Sequence, residues 1–343
     1  MPRSSSESRL RPFLTRPGAT FRCHADGFCC TNIHLIRPIS RPERSTLEHF
    51  RTGCTGRDPN TGVYYLHTGA DGACVLLKNG MCTLHSSAGF NEKPRICRRF
   101  PYGLAATPHG GRITTAHRCP CRTVGERAAI NIEEAERSLV DSRGRLLVNV
   151  RAGNRIPWTE RTNMSFDSYA RRESEMLSAL ATGAEPVAVL QMENQKTRPA
   201  KETWEHLARG FREGDRFGTP GAALAWFGHA LLRLLGFDDP APVRPWSVRM
   251  ASIQAQRAST NTPEETLGDW LSDAIWDLSW LGYGSFEIAR RELAIRVRIF
   301  EVLVETFSIG GTRPDVAAAE AVMIVELAGG SVRWQNAAGT LGV

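Results

Sequence analysis

The sequence predicts an α+β chain in two parts: a small, irregular, cysteine-rich metal-binding domain, then a mainly α-helical domain. Three observations predict it. All nine cysteines, at positions 23, 29, 30, 54, 74, 82, 97, 119 and 121, fall in the first 121 of 343 residues. Over that stretch glycine and proline recur, and apolar runs such as Val63-Tyr64-Tyr65-Leu66 and Cys74-Val75-Leu76-Leu77 are brief. Such a texture suits short strands and loops held by ligation rather than by a large core. Beyond residue 130 apolar residues instead recur at helical spacing. A chain this long exceeds the range in which one core usually keeps growing, so two domains are expected. The boundaries are set at 1–20 for a flexible tail, 21–125 for the cysteine cluster and 126–343 for the helices.

The tail carries Pro2, Pro12 and Pro17, which interrupt any periodic pattern. Between Phe21 and Arg122, Asn79-Gly80 is the strongest turn signal, and a hairpin there brings Cys74 and Cys82 to one end of a ribbon. One or two short helices are expected beside it. Helices are then expected over Ile132–Val140, Ser165–Leu180 with Ser165 as cap, Glu202–Arg212, Ala222–Leu235, Pro263–Leu281, Phe286–Phe307 and Pro314–Leu327. Pro240, Pro242 and Pro245 mark Asp238–Pro245 as a loop. In the Phe286 helix, Ile288, Leu293, Val297, Phe300 and Leu303 make a wide apolar face, as in the core helix of an antiparallel bundle.

The net charge of +7 is unevenly spread. Residues 1–130 carry 19 Lys and Arg against 8 Asp and Glu, whereas the remainder carries 24 against 28. Several bound thiolates would offset much of that excess. Nucleic acid is disfavoured as a partner, because no basic stripe interleaved with aromatics accompanies the charge. No run approaches the roughly 18 consecutive apolar residues of a membrane span. The polar start Met1-Pro2-Arg3-Ser4-Ser5-Ser6 lacks the apolar stretch of a secretory signal, so a soluble, cytoplasmic protein is expected. In a reducing compartment an odd number of cysteines argues for ligation of metal or iron–sulfur ahead of disulfides or inert thiols.

The thiols fall into blocks. Cys23-His24-Ala25-Asp26-Gly27-Phe28-Cys29-Cys30 packs three into eight residues around a glycine that lets the backbone turn tightly. Neighbouring side chains on an extended segment diverge, so Cys29 and Cys30 serve a polynuclear centre, or two centres, more readily than one zinc ion. A second block runs from Gly72-Ala73-Cys74 through Gly80-Met81-Cys82-Thr83-Leu84-His85 to Lys93-Pro94-Arg95-Ile96-Cys97-Arg98-Arg99-Phe100-Pro101, and Cys119-Pro120-Cys121 follows.

The order CxxxxxCC, GxCxxLxxGxCxxH, KPxxCRxFP and CPC resembles the YkgJ-type cysteine-cluster family of CxxCxxCC proteins, described as zinc- or iron-chelating, over residues 21–122. That family includes flagellin lysine N-methylases, which pair a cysteine cluster with a longer helical portion. The resemblance implies Cys23, Cys29, Cys30, Cys74, Cys82, Cys97 and Cys119 as metal ligands, with Cys121 as neighbour or substitute. It implies an iron–sulfur cluster or zinc as cofactor, and for an enzyme S-adenosylmethionine and a protein substrate. The chain departs from the pattern at Asp26, where the family has a cysteine. A carboxylate there would favour mixed ligation, and its alternatives are a position behind the ligands or a turn former ahead of Gly27. Cys54 has no counterpart; it is a substitute ligand or a free surface thiol.

His24 and His85 adjoin cysteines and are expected to ligate or to hydrogen-bond behind the ligands. Arg95, Arg98 and Arg99 balance thiolate charge or bind an anion. His229, Trp270, Trp276 and Trp280 are expected to be packing residues. No GxGxxG after a strand, no GxxxxGK[ST], no GxSxG and no HExxH occurs. Two functions therefore compete. One is a metal-binding protein serving redox chemistry or metal handling; the other is an S-adenosylmethionine-dependent protein lysine methyltransferase.

Overall fold

The computed structural model describes residues 10–31, 36–69, 72–141, 143–190, 201–213 and 219–340. The elements before residue 160 are short, as the recurrent glycine and proline dictate. β1 (Phe13–Thr15) and β2 (Thr20–Phe21) come first. α1 (Arg41–Phe50) starts at a capping box, in which the Ser40 hydroxyl accepts from the Glu43 amide and the Glu43 carboxylate accepts from the Ser40 amide. β3 (Thr55–Arg57) and β4 (Tyr64–Leu66) pair antiparallel, and β5 (Leu77–Lys78) and β6 (Met81–Cys82) form a hairpin. At its turn Asn79 and Gly80 both take positive φ, 52° and 75°, as a two-residue hairpin turn favours. The short helices α2 (Thr83–Ala88) and α3 (Arg95–Arg99) follow.

β7 (Tyr102–Thr107) and β8 (Gly110–Thr115) make the longest hairpin. β9 (Ala128–Ala129) pairs with β2, and Asn131 caps α4 (Ile132–Ser138). β10 (Val150–Arg151) joins β7 in parallel and β1 joins β8 in parallel, giving a four-stranded sheet of order β1-β8-β7-β10. β11 (Arg155–Pro157) and β12 (Asn163–Ser165) form a last small pair. The molecule is thus mixed α+β, with strands on both sides of the boundary expected at 125/126.

Helices dominate thereafter. They are α5 (Phe166–Ala181), α6 (Pro186–Val189), α7 (Lys201–Arg212), α8 (Thr219–Leu234), α9 (Ser247–Gln256), α10 (Pro263–Trp276), α11 (Phe286–Ile309), α12 (Pro314–Gly329) and α13 (Val332–Thr340). The Ser165 hydroxyl accepts from the Ser168 amide, so the expected cap on α5 is present. Every residue of α12 from Val316 to Val325 is buried, the mark of a helix surrounded by others, and it packs on α8, α10 and α11. The main hydrophobic cluster is helical but takes in Phe28 and Val124 from the cysteine-rich stretch.

Several expectations need correction. The tail expected through residue 20 enters the sheet at Phe13, because a parallel edge on β8 takes the strand; its residues 1–9 lie outside the described residues. The helix expected over Pro263–Leu281 stops at Trp276: Leu278 adopts a left-handed φ of 58°, and a tight turn of helix over Ser279–Tyr283 carries Trp280. Trp270, Trp276 and Trp280 are buried as expected. α9 and α13 were not anticipated, since neither presents a broad apolar stripe.

A buried ion network bolts the cysteine-rich stretch to α10. Arg16 reaches Asp273 at 2.6 Å and also pairs with Asp269. Arg122 reaches Asp269 at 2.5 Å and Asp273 at 2.7 Å, and its Nε donates to the Thr115 hydroxyl at 2.8 Å. His117 Nε2 lies 2.9 Å from Asp273, and its amide donates to Glu326 at 2.6 Å. A second clamp joins β8 to α5, where Arg112 grips Glu173 through two bonds of 2.7 Å and stacks 4.1 Å from the Trp276 ring centroid.

Burial alone would raise the Asp273 carboxyl, but Arg122 and Arg16 outweigh it and hold the group well below the usual carboxylate range. Its stabilising contribution is therefore present above the unfolded carboxylate pKa and is lost as pH falls. Removing one member of a buried network strands the others. Asp273→Ala should cost about 3–5 kcal/mol by urea denaturation at pH 7; a cost below 1 kcal/mol would contradict the assignment. Asp277 shows the opposite sign. Desolvation, with Glu326 and Asp273 nearby, pushes its carboxyl up to about 7, so the folded protein loses stability as pH rises through that value. Asp277→Asn keeps an acceptor for the Ser279 amide and should add about 1–3 kcal/mol at pH 8. The gain should fade as pH falls below 7, as denaturation at both ends of that window will report.

Candidate metal centre

The site is built by one turn and one hairpin meeting. Asp26 precedes Gly27, whose φ of 68° only glycine adopts freely. The Asp26 carboxylate accepts from the Phe28 amide at 3.0 Å, and the Cys30 amide donates to the Gly27 carbonyl at 2.9 Å, closing the loop that presents Cys29-Cys30. A Cβ on Gly27 would stand 2.5 Å from the Gly80 carbonyl oxygen, so this loop rests directly on the tip of the β5–β6 hairpin. A bridge between Thr31 and Ala73 and a 2.7 Å bond from the Cys74 amide to the Cys30 carbonyl bring the second block alongside.

These contacts gather five thiols. Cys29, Cys30, Cys74, Cys82 and Cys97 border one pocket of about 30 Å³, walled by Ile36, Leu66, Leu76 and Phe100, with Lys93 at its edge. Cys97 arrives on α3, where its amide bonds to the Pro94 carbonyl at 2.9 Å. Of the remaining expected ligands, Cys119 and Cys121 are buried in a different hydrophobic cluster and Cys23 is exposed. The His24 amide lies 3.5 Å and Arg257 Nη2 3.7 Å from the Cys121 sulfur. All nine cysteines are free. Among the described residues no three Cys, His, Asp or Glu side chains converge as metal ligands would.

The thiols are poor acids in this setting. Hydrogen bonding with Cys30, then burial, raises Cys29, and burial pushes Cys74 up to about 11 and Cys97 further. Hydrogen bonding with Cys121 and then burial raises Cys23. Cys23, Cys29, Cys74 and Cys97 thus favour the protonated thiol while no metal is bound.

The other expected site residues separate cleanly. Asp26 pairs with Arg257 and accepts from Phe28, so it forms the turn. Cys54 is not a surface thiol: it is 1% exposed and its Sγ lies 3.4 Å from the Leu47 carbonyl. His85 is exposed and set edge-on to Phe90. His24 faces Gly125, whose added Cβ would meet Nε2 at 2.8 Å, and burial lowers its pKa. The Arg95 amide donates to Glu43 at 2.5 Å, and Arg99 bonds to the Leu147 carbonyl and Asn149. His229 is packed against Trp226 and bonded to Asp239 at 2.9 Å.

Sequence reasoning missed Arg16, Arg122 and Arg257, which fix the thiol loops to α9, α10 and the turn after α9. Arg16 and Arg122 stand near cysteine blocks in the sequence but Arg257 does not, and their partners lie 151 to 257 residues away. Gly27→Ala should displace the Cys29-Cys30 loop from the hairpin, since neither a backbone carbonyl nor a left-handed φ yields to a methyl group. The expected outcome is a loss of at least about 2 kcal/mol in denaturant unfolding, and an unaltered midpoint would refute the stacking of turn on hairpin.

Comparison with known proteins returns no match: no family model, no curated protein and no solved structure corresponds to the chain. The likeness to cysteine-cluster proteins therefore rests on its motifs.

Proposed function

We propose that the chain is a metal-binding protein whose thiol pocket holds zinc or an iron–sulfur centre in the service of redox chemistry or metal handling. One observation carries this reading. Five thiols from separated stretches of chain, at 29–30, 74–82 and 97, meet around a single apolar pocket. Buried cysteines serving only as small hydrophobes need no such convergence. The donor set fits, because an all-sulfur pocket without histidine or carboxylate selects zinc or iron–sulfur over hard cations. The pocket has room for about one water-sized body, so a single ion enters with side-chain rotation and a cluster requires the thiols to spread.

The bound group would supply cross-linking of three chain segments and, as iron, one-electron chemistry. The chain's own residues do the rest. Lys93 lies near Cys23, Cys29 and Cys97 and offsets thiolate charge. Leu66, Leu76 and Phe100 keep water from the sulfurs, and the hairpin fixes Cys82 against the Cys29-Cys30 loop.

A specific observation also favours the enzyme reading. A cleft of about 680 Å³ opens beside the Cys119–Cys121 loop, bordered by Arg16, Thr20, Gly125, Arg127, Asn261 and Asp269. That volume lies in the range of cofactor pockets, about 300–1,000 Å³. Saturable heat of S-adenosylmethionine binding, abolished by a bulky substitution at Gly125, supports a methyltransferase; absence of binding by metal-loaded protein removes that reading.

The metal itself is tested by anaerobic purification followed by metal and sulfide analysis. We expect stoichiometric iron with sulfide, or stoichiometric zinc, and loss of it in Cys74→Ser and Cys97→Ser. Protein that stays metal-free after anaerobic reconstitution with either would contradict the proposal.

A further inference from the structure

Arg127 stands at the wall of the 680 Å³ cleft without a carboxylate of its own. Its Nε donates to the Thr20 hydroxyl at 3.2 Å, its Nη2 to Asn261 Oδ1 at 2.8 Å, and its Nη1 to the Thr123 carbonyl. All three acceptors are neutral, and among the described residues no acid forms an ion pair with Arg127. Burial and then Arg122 lower its pKa, and Asp269 offsets this only in part, because its oxygens are taken by Arg16 and Arg122. Glu126 and Glu265 also border the cleft, but Glu126 is exposed and Glu265 accepts from the Thr262 amide at 2.8 Å. The cleft wall thus holds a half-buried cation whose charge nothing nearby answers.

The same bonds decide what the wall shows to the cleft. Thr20 accepts from Arg127, which leaves its O–H to donate; Asn261 accepts through Oδ1, which leaves its NH2; and two guanidinium N–H groups stay open. About five donors therefore surround one cation. A phosphate group offers them three oxygens where a carboxylate offers two, and guanidinium pairs bidentately with phosphate. Gly268 adds room. It lies inside α10, where glycine is weaker than alanine, yet an added Cβ would meet only the Leu180 carbonyl at an ordinary 3.7 Å. Packing does not require that glycine, and the space it leaves opens on the cleft. A depression of about 340 Å³ bordered by residues 259–263 shares Thr260 and Asn261 with the cleft, and its rim is rich in hydroxyls. Among the described residues no aromatic side chain borders either space, so a nucleobase finds no ring to stack on. We infer that this cleft binds a small phosphate ester with a hydroxylated body, its phosphate seated on Arg127, Thr20 and Asn261. The site is independent of metal in the thiol pocket, and its ligand competes with S-adenosylmethionine for the cleft considered above.

Isothermal titration calorimetry on the full chain at constant ionic strength tests this, with inorganic phosphate and glucose 6-phosphate as probes, succinate as the carboxylate control and S-adenosylmethionine as the competitor. The expected result is saturable binding of glucose 6-phosphate, tighter than that of inorganic phosphate and at least tenfold weaker in Arg127→Met and in Asn261→Asp. The second variant keeps an acceptor for Arg127 Nη2 and replaces the outward NH2 with a carboxylate oxygen. It keeps the test decisive if Arg127→Met fails to fold, as circular dichroism would show, and a merely structural Asn261 would leave binding unmoved. Unchanged affinity in Asn261→Asp, glucose 6-phosphate no tighter than inorganic phosphate, or succinate as tight as either would overturn the assignment. Saturation by S-adenosylmethionine where both phosphates fail would overturn it too and give the cleft to the methyltransferase reading. Failure of all four ligands would overturn both readings of the cleft and leave metal binding by the thiol pocket intact.

Discussion

The buried network of Arg16, Arg122, His117, Asp269 and Asp273 is the constraint on which the rest of the molecule depends. Two carboxylates one helical turn apart on α10 face two guanidiniums from loops that have little core of their own. Each charge is costly to bury alone, and together they are mutually satisfied only if the loops sit in one place on the helix. That requirement fixes the Cys119–Cys121 loop, and β1, which carries Arg16 at its end, closes the edge of the sheet beside it. A cysteine-rich segment that could otherwise be floppy without ligands is thereby held by ion pairs as well as by its own short strands.

The thiol pocket is organised on a different principle. Here backbone conformation decides: left-handed Gly27 lets its loop lie on the hairpin tip at a separation no side chain permits, and left-handed Gly80 shapes the turn beneath it. The cysteines that result are buried or half-buried and unbridged. Such a set is expensive to maintain for packing alone, since leucine or valine would fill the same volume with more apolar contact. It is economical if a soft cation binds there, because ligation then replaces the core that short elements cannot supply.

Much of this was legible in the sequence, and the limits are physical. The Asn79-Gly80 hairpin and the Ser165 cap were readable because their signals are local and chemically specific. The long helices were readable because each turns a broad apolar face to α12 or its neighbours. The split of the thiols into two groups was not, since spacing along the chain says nothing about which hydrophobic cluster a cysteine joins. For Asp26 ligation, a place behind the ligands and a turn ahead of Gly27 all stood open, and its partner Arg257, 231 residues on, was not legible. Leu278 ended a helix that its apolar pattern would have continued, because periodicity does not encode a left-handed residue.

The central claim is that sulfur from this chain binds metal, and X-ray absorption at the metal edge of anaerobically prepared protein tests it most directly. The account predicts a nearest shell made of sulfur, at about 2.3 Å for either zinc or iron thiolates. A shell dominated by nitrogen and oxygen, or a spectrum identical to that of the metal in buffer, would contradict it.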